Sequence, residues 1–221
     1  ERANSIEIGY RSTISKKVYL DANIYFSSYT DFIGYKIGAK FQTILNDSIT
    51  GEYQISLPSI QAYRMAANAK NKITTKGASI GINYYPNSDL SLNGNYSWNS
   101  LNEKGTEDPI IPAYNTPEHK FNLGCMIKNI HFNKEKSYLR DFSCSLNYKW
   151  IQGYQYEGSP QFTGNIPSYD LVDIQISKEL IKLGATVKLG TTNLLNNLHY
   201  EVYGGPYIGR MTYCSMLFNI N

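Results

Sequence analysis

Charge is in short supply in this sequence. Asp, Glu, Lys and Arg make up 18% of its 221 residues, where an average soluble domain carries about 25%. The formal net charge is +3, and no Lys/Arg cluster stands out, so there is no electrostatic footprint for nucleic acid. Cysteine is nearly missing. Cys125, Cys144 and Cys214 are odd in number, far apart and without a CxxC pair, and they describe neither a disulfide framework nor a zinc site. His119, His131 and His199 are equally scattered, which leaves no metal constellation and no cofactor to expect. No hydrophobic run approaches the ~18 consecutive residues of a membrane helix. No signal peptide precedes Glu1, so the chain is expected to be a piece of something longer.

What the sequence does have is tyrosine, 20 of them within a 14% aromatic content, and a persistent alternation of period two. Val18, Leu20, Ala22, Ile24 and Phe26 share one face of a strand, against Tyr19, Asp21, Asn23, Tyr25 and Ser27. The same pattern returns in "KGASIGINYY", "LSLNGNYSWNS", "KFNLGCMIK", "DFSCSLNYKW", "LVDIQISKEL", "GATVKLG" and "MTYCSMLFNI". It predicts nine strands near 4–15, 18–33, 72–85, 88–101, 117–130, 138–152, 168–180, 183–194 and 207–219. The best helical candidate, "SIQAYRMAANAKNK", is short. The fold is expected to be all-β.

The connections alternate too. Those at 16–17, 86–87, 131–137 and 181–182 are tight, whereas 34–71, 102–116, 153–167 and 195–206 are long and polar or aromatic. Transmembrane β-barrels show this asymmetry, with short periplasmic turns and long extracellular loops. The strands are long enough to span a bilayer when tilted, which takes about 9–11 residues, and exceed the roughly 5–6 usual in a soluble sandwich. The polar face is Asn, Ser, Gly, Gln and Tyr, which suits a wet interior better than bulk solvent. An antiparallel transmembrane barrel is therefore expected. Its apolar face would meet outer-membrane lipid, with Trp98, Trp150 and Tyr84 at interfacial levels and the three cysteines as small lipid-facing hydrophobes. Bacterial single-chain barrels have even strand numbers, and an odd nine again suggests a missing beginning.

Four motifs, in order, carry a resemblance. "ERANSIEIGY" opens the chain, "AYNTPEHKFNLG" comes after a long loop, "GNIPSYDLVDIQISKEL" forms a later strand, and "TNLLNNLHYEVYGGPYIGRMTYCSMLFNI" closes it. Together they resemble the barrel of TonB-dependent outer-membrane receptors over nearly the whole chain, and the lean towards Asn, Lys, Ile and Tyr is similar to members from Bacteroidetes. The resemblance implies the last nine or so strands of a 22-stranded barrel, with the plug and the first strands absent and the C-terminus periplasmic. It departs from the family at its end, "FNIN", where an aromatic residue is usual.

What the resemblance implies for function is energised import of a scarce ligand, a siderophore, cobalamin, a glycan or a peptide, powered through TonB acting on the missing plug. A surface lipoprotein partner is left open. Contact candidates in the long loops are Tyr63, Arg64, Tyr114, Tyr154, Tyr156, Tyr203, Tyr207 and Arg210, because Tyr and Arg combine a broad surface with polar groups. A plugless diffusion porin would use the same strands. A barrel hydrolase would need His119 with Asp108 or Glu118, but no nucleophile is identifiable by spacing, so no catalytic residue is expected. "GGPYIG" is succeeded by a strand and not a helix, unlike a phosphate loop.

Overall fold

A computed structural model describes residues 1–47, 51–103, 114–132, 140–158 and 162–218. Its strands, in chain order, are β1 Arg2–Ser15, β2 Val18–Thr30, β3 Ile33–Lys40, β4 Thr43–Asp47, β5 Glu52–Ile55, β6 Gln61–Asn68, β7 Ile73–Tyr84, β8 Leu90–Glu103, β9 His119–Ile130, β10 Phe142–Ile151, β11 Tyr154–Glu157, β12 Thr163–Ile166, β13 Tyr169–Leu180, β14 Ala185–Thr192 and β15 Met211–Phe218. Nine of them form one antiparallel sheet, ordered β1-β2-β7-β8-β9-β10-β13-β14-β15. Sheet neighbours are thus chain neighbours once the side hairpins β3–β6, β4–β5 and β11–β12 are set aside. The all-β, nine-stranded expectation is met.

Register keeps the two phases of the alternation on opposite faces. One row reads Tyr10, Ala22, Ile80, Tyr96, Phe121, Trp150, and the adjacent row reads Arg11, Asp21, Gly81, Asn95, Asn122, Lys149. The apolar rows do not converge on a dry centre. Ile24 is 56% exposed, Leu146 46% and Leu189 55%. Burying such a side chain is worth about 1.5–3 kcal/mol, so a whole face of them calls for a hydrocarbon solvent. Cys125 lies between Leu92 and Leu146, Cys144 between Ile127 and Ile176, and Cys214 beside Leu189. Trp98 and Trp150 sit on this face at the long-connection end, where the Phe121 ring packs 5.6 Å from Trp150.

The other face ties itself together with side-chain hydrogen bonds between neighbouring strands. Ser79 Oγ donates to Asn23 Oδ1 at 2.8 Å and Asn122 Nδ2 to Asn95 Oδ1 at 2.8 Å, while Tyr213 Oη of β15 reaches over β14 to donate to Gln175 Oε1 of β13 at 2.9 Å. Tyrosines here lie over glycines on the neighbouring strand. A Cβ on Gly77 would meet the Tyr25 ring and come within 2.6 Å of the Trp98 carbonyl oxygen. Tyr213 covers Gly190 in the same manner. The small buried core, Ala69 and Ile73 with Tyr29, Phe32, Ala67 and Leu101 packed around them, also sits at the long-connection end.

The long connections are where structure departs from expectation. The helical candidate at 59–72 holds β6, which pairs with β3 from Ile33↔Asn68 to Lys40↔Gln61. Its Ala and Met residues favour helix by only tenths of a kcal/mol each, and strand pairing overrides that. The long connections 34–71 and 153–167 carry hairpins that the sequence reading did not include. The strand expected from 183 begins at Ala185, because Ile181–Leu183 form a 3-10 turn that Gly184 ends at φ 55°. The last strand begins at Met211, four residues late. Parts of the connections 102–116 and 131–137, and residues 219–221, lie outside the described residues. Among the described residues, every non-glycine with positive φ is Asn or Asp, types that tolerate the left-handed region.

Candidate ligand-binding site

Two cavities open on the polar face at the long-connection end of the sheet. The larger, about 380 Å³, lies between β2, β7, β8 and the segment leading into β9. Tyr25, Tyr29, Phe32 and Tyr114 give it aromatic walls, and Ser27, Thr75 and Thr116 add hydroxyls. Tyr25 Oη donates to Asn99 Oδ1 at 2.9 Å and lies 3.3 Å from Tyr114 Oη. The next two residues hold Tyr114 in place. Asn115, at φ 38°, donates through Nδ2 to the Glu157 carbonyl at 3.0 Å and accepts the Glu157 N–H at 2.7 Å. Thr116 Oγ1 donates back to the Tyr114 carbonyl at 2.7 Å. Burial, and after it the hydrogen bond and charge of Tyr25, pushes the Tyr114 phenol above its ordinary range, so it stays neutral.

The smaller cavity, about 250 Å³, is bounded by Tyr169 at the start of β13 and by the loop from β14 to β15. Tyr169 and His199 are both buried and stack at 4.3 Å with their planes 21° apart. An asparagine cage shapes the loop. The Asn193 N–H donates to Asp173 Oδ1 at 2.8 Å, Asn193 and Asn197 exchange two 2.8 Å bonds, and Asn197 Nδ2 donates to the Asp170 carbonyl at 3.0 Å. Tyr200 then makes edge contacts with Tyr203 and Tyr207, while Tyr203 covers Gly164 of β12. Tyr154 Oη donates to the Glu201 carbonyl at 3.2 Å. Burial first, then the negative charge of Glu201, raises the Tyr154 phenol. Among the described residues, no group of three or more His, Cys, Asp or Glu comes together to hold a metal.

A two-faced antiparallel sheet with polar cavities at one end is a barrel wall, and the sequence carries a specific match to one. The family model described as TonB dependent receptor-like, beta-barrel matches residues 1–194. The chain belongs to that family. It is an outer-membrane barrel family, and TonB-dependent receptors of known structure share this fold. The chain is similar to the FrpB iron transporter from Neisseria meningitidis (F3-3 variant) at 13% identity and TM-score 0.64, with 97% of this chain and 30% of that one covered. For the copper transporter OprC the values are 10%, 0.67, 97% and 30%. For the siderophore receptor PirA from Acinetobacter baumannii they are 14%, 0.62, 97% and 31%. At these identities the likeness is one of fold, and the chain spans about three-tenths of the length of these proteins. No match was found among curated proteins.

Within this receptor wall the residues singled out from sequence fall into three groups. Tyr154, Tyr203 and Tyr207 gather around Tyr200 and Glu201 beside the smaller cavity. Tyr156 is in the same hairpin as Tyr154, near Gly158, and the Arg210 N–H donates to Asn196 Oδ1 at 2.9 Å, which ties off the loop. Tyr114 belongs to the larger cavity. Tyr63 and Arg64 are on the β3–β6 hairpin, where Tyr63 covers Gly38 and the Arg64 guanidinium lies 3.3 Å from the Tyr35 ring centre. Sequence reasoning missed Tyr25, Tyr29, Tyr169 and His199. The usable signal was phase: these strand tyrosines sit on the polar face, where an aromatic ring has no lipid to meet. His119 Nε2 and Glu118 Oε1 lie 3.9 Å apart, and the two residues also bond to Tyr96 (2.6 Å) and Trp98 (3.2 Å), which belong to the apolar face. Asp108 lies outside the described residues.

Proposed function

We propose that this chain is the C-terminal part of the barrel of a TonB-dependent receptor that imports a scarce ligand across the outer membrane. The observation that carries the reading is the family match over a sheet whose faces need two different solvents. The chain would supply nine strands of a 22-stranded wall, and its two outermost strands, β1 and β15, would pair with strands from the rest of the protein. The cavities and hairpins at the long-connection end would face the outside, and the C-terminus the periplasm. The remainder of the protein would supply the plug and its TonB contact. A siderophore, cobalamin, a glycan or a peptide would be the cargo. The related structures are named for iron, copper and siderophores, which supports import without fixing what is imported here. A Bacteroidetes source would agree with the residue usage and would make a surface lipoprotein partner worth testing for.

Orientation gives a direct test. An epitope placed at Gly51, the turn between β4 and β5, should be labelled by antibody on intact cells. One placed at Lys16–Lys17 should be labelled only after the outer membrane is permeabilised. The reverse pattern would overturn the orientation. Deletion of TonB should abolish uptake while leaving the receptor on the surface, whereas uptake that continues undiminished would describe a passive pore.

A further inference from the structure

A third cavity, of about 380 Å³, opens on the apolar face of the sheet and crosses β1, β2, β7 and β8. Register explains its shape. One row of that face reads Tyr10, Ala22, Ile80, Tyr96, and the next row towards the long connections reads Ile8, Ile24, Ala78, Trp98. Alanine falls on β2 in the first row and on β7 in the second, so the two low points lie on a diagonal. Ile24 and Ile80 bank this furrow on either side, and Tyr10 and Tyr96 close its flanks. The row beyond is Phe26, Lys76, Ser100, which puts Lys76 next above Ala78 on the same face of β7. The Lys76 ammonium lies 5.6 Å from the Trp98 ring centre, beside the upper end of the furrow. On the other side, the rows Leu20–Ile82–Gly94 and Val18–Tyr84–Leu92 separate it from the tight turns. The furrow therefore occupies the half of the apolar band nearer the long connections.

Resting on the outer-membrane orientation proposed above, we propose that this furrow seats one acyl chain of lipid A, the phosphorylated glycolipid of the outer leaflet, with a phosphate held at Lys76. The furrow is continuous with the face that meets hydrocarbon, and an exposed apolar groove marks a place of contact. A chain lying on a smooth wall is touched from one side. In the furrow it is touched from below by the alanines and from both banks by the isoleucines, and dispersion contacts add with each neighbouring atom. Hydrocarbon contact alone favours every lipid, so the choice among lipids falls to the cation at the mouth, which suits an anionic headgroup.

The test uses the full-length receptor, extracted from outer membranes, taken through detergent exchange until bulk lipid is gone, and weighed by native mass spectrometry. A lipid A-bearing molecule should stay bound. Ala22→Leu and Ala78→Leu fill the furrow, and each should lower the retained fraction about tenfold, the scale of about two methylene groups of displaced contact. Lys76→Gln should lower it about threefold, the scale of an exposed charge pair. Cys125→Leu enlarges a side chain on the same face between Leu92 and Leu146, away from the furrow, and should change nothing. All four variants should keep the parent's heat-modifiable mobility on gels, which separates a lost seat from a lost fold. No retained lipid, retention unmoved by both furrow-filling variants, or an equal loss in Cys125→Leu would each overturn the proposal. The orientation is scored separately by the epitope labels at Gly51 and Lys16–Lys17. Reversed labels would defeat the orientation whatever lipid is retained, whereas phospholipid retained by a receptor labelled as expected would defeat the lipid A seat.

Discussion

The finger between β2 and β7 and the loop between β14 and β15 leave the same end of the wall, yet they hold their shapes by different means. The finger is two nested hairpins, β3–β6 and β4–β5, built on backbone ladders, and it leaves Ile33, Tyr35, Ile37 and Tyr53 exposed. An isolated two-stranded hairpin is marginal in water, so the finger draws little strength from itself. The β14–β15 loop has one isolated bridge, His199↔Ile208, and instead relies on side chains. Asn193 is only 3% exposed, and its cage reaches across to Asp170 and Asp173 of β13. A loop that anchors to the wall through buried amides has a fixed shape, whereas one that extends as a ladder can bend at its base.

Substitutions can sharpen or break that contrast, and the largest effect is expected at the cage. Asn193→Ala removes both bonds shared with Asn197 and puts alanine at φ 50°. It should cost about 3 kcal/mol, from two hydrogen bonds and an unfavourable left-handed backbone, read as a lower temperature for loss of the heat-modifiable band. Tyr203→Ala uncovers Gly164 and ends the edge contact with Tyr200; about 1.5 kcal/mol is expected by the same measurement. On the finger the numbers shrink. Gly38→Ala meets only the Tyr63 ring, which is 48% exposed and free to swing away, so a loss under about 1 kcal/mol is expected. Arg64→Ala should be smallest, about 0.5 kcal/mol, the scale of an exposed cation–π contact. A finger variant as damaging as Asn193→Ala would erase the distinction.

The wall was legible in the sequence because each strand must satisfy two solvents at once. That demand writes itself into alternate residues, as in Val18 to Ser27, and a one-residue slip would invert every side chain. The excursions answer to no such rule. In "QAYRMAAN" alanines occupy both phases, so the stretch reads as weak helix until its pairing with β3 is seen. The candidate site was half legible. Tyr154, Tyr203 and Tyr207 stood out as loop aromatics, and the fold gathers them, but Tyr25 and Tyr169 were hidden among strand residues. The cage was not legible at all, because Asn193 finds Asp173 across a strand pair, and no local pattern announces that partnership.

The pairing of β2 with β7 runs without interruption to Tyr29↔Ile73, and the Ala69 N–H closes the base of the finger on the Phe32 carbonyl at 2.7 Å. Everything beyond that point lies outside the β2–β7 pairing. A shorter turn, or a graft from a distant homologue, could replace it while the seam beneath stayed zipped, so this one piece could vary in length and sequence while the nine-stranded sheet kept its architecture.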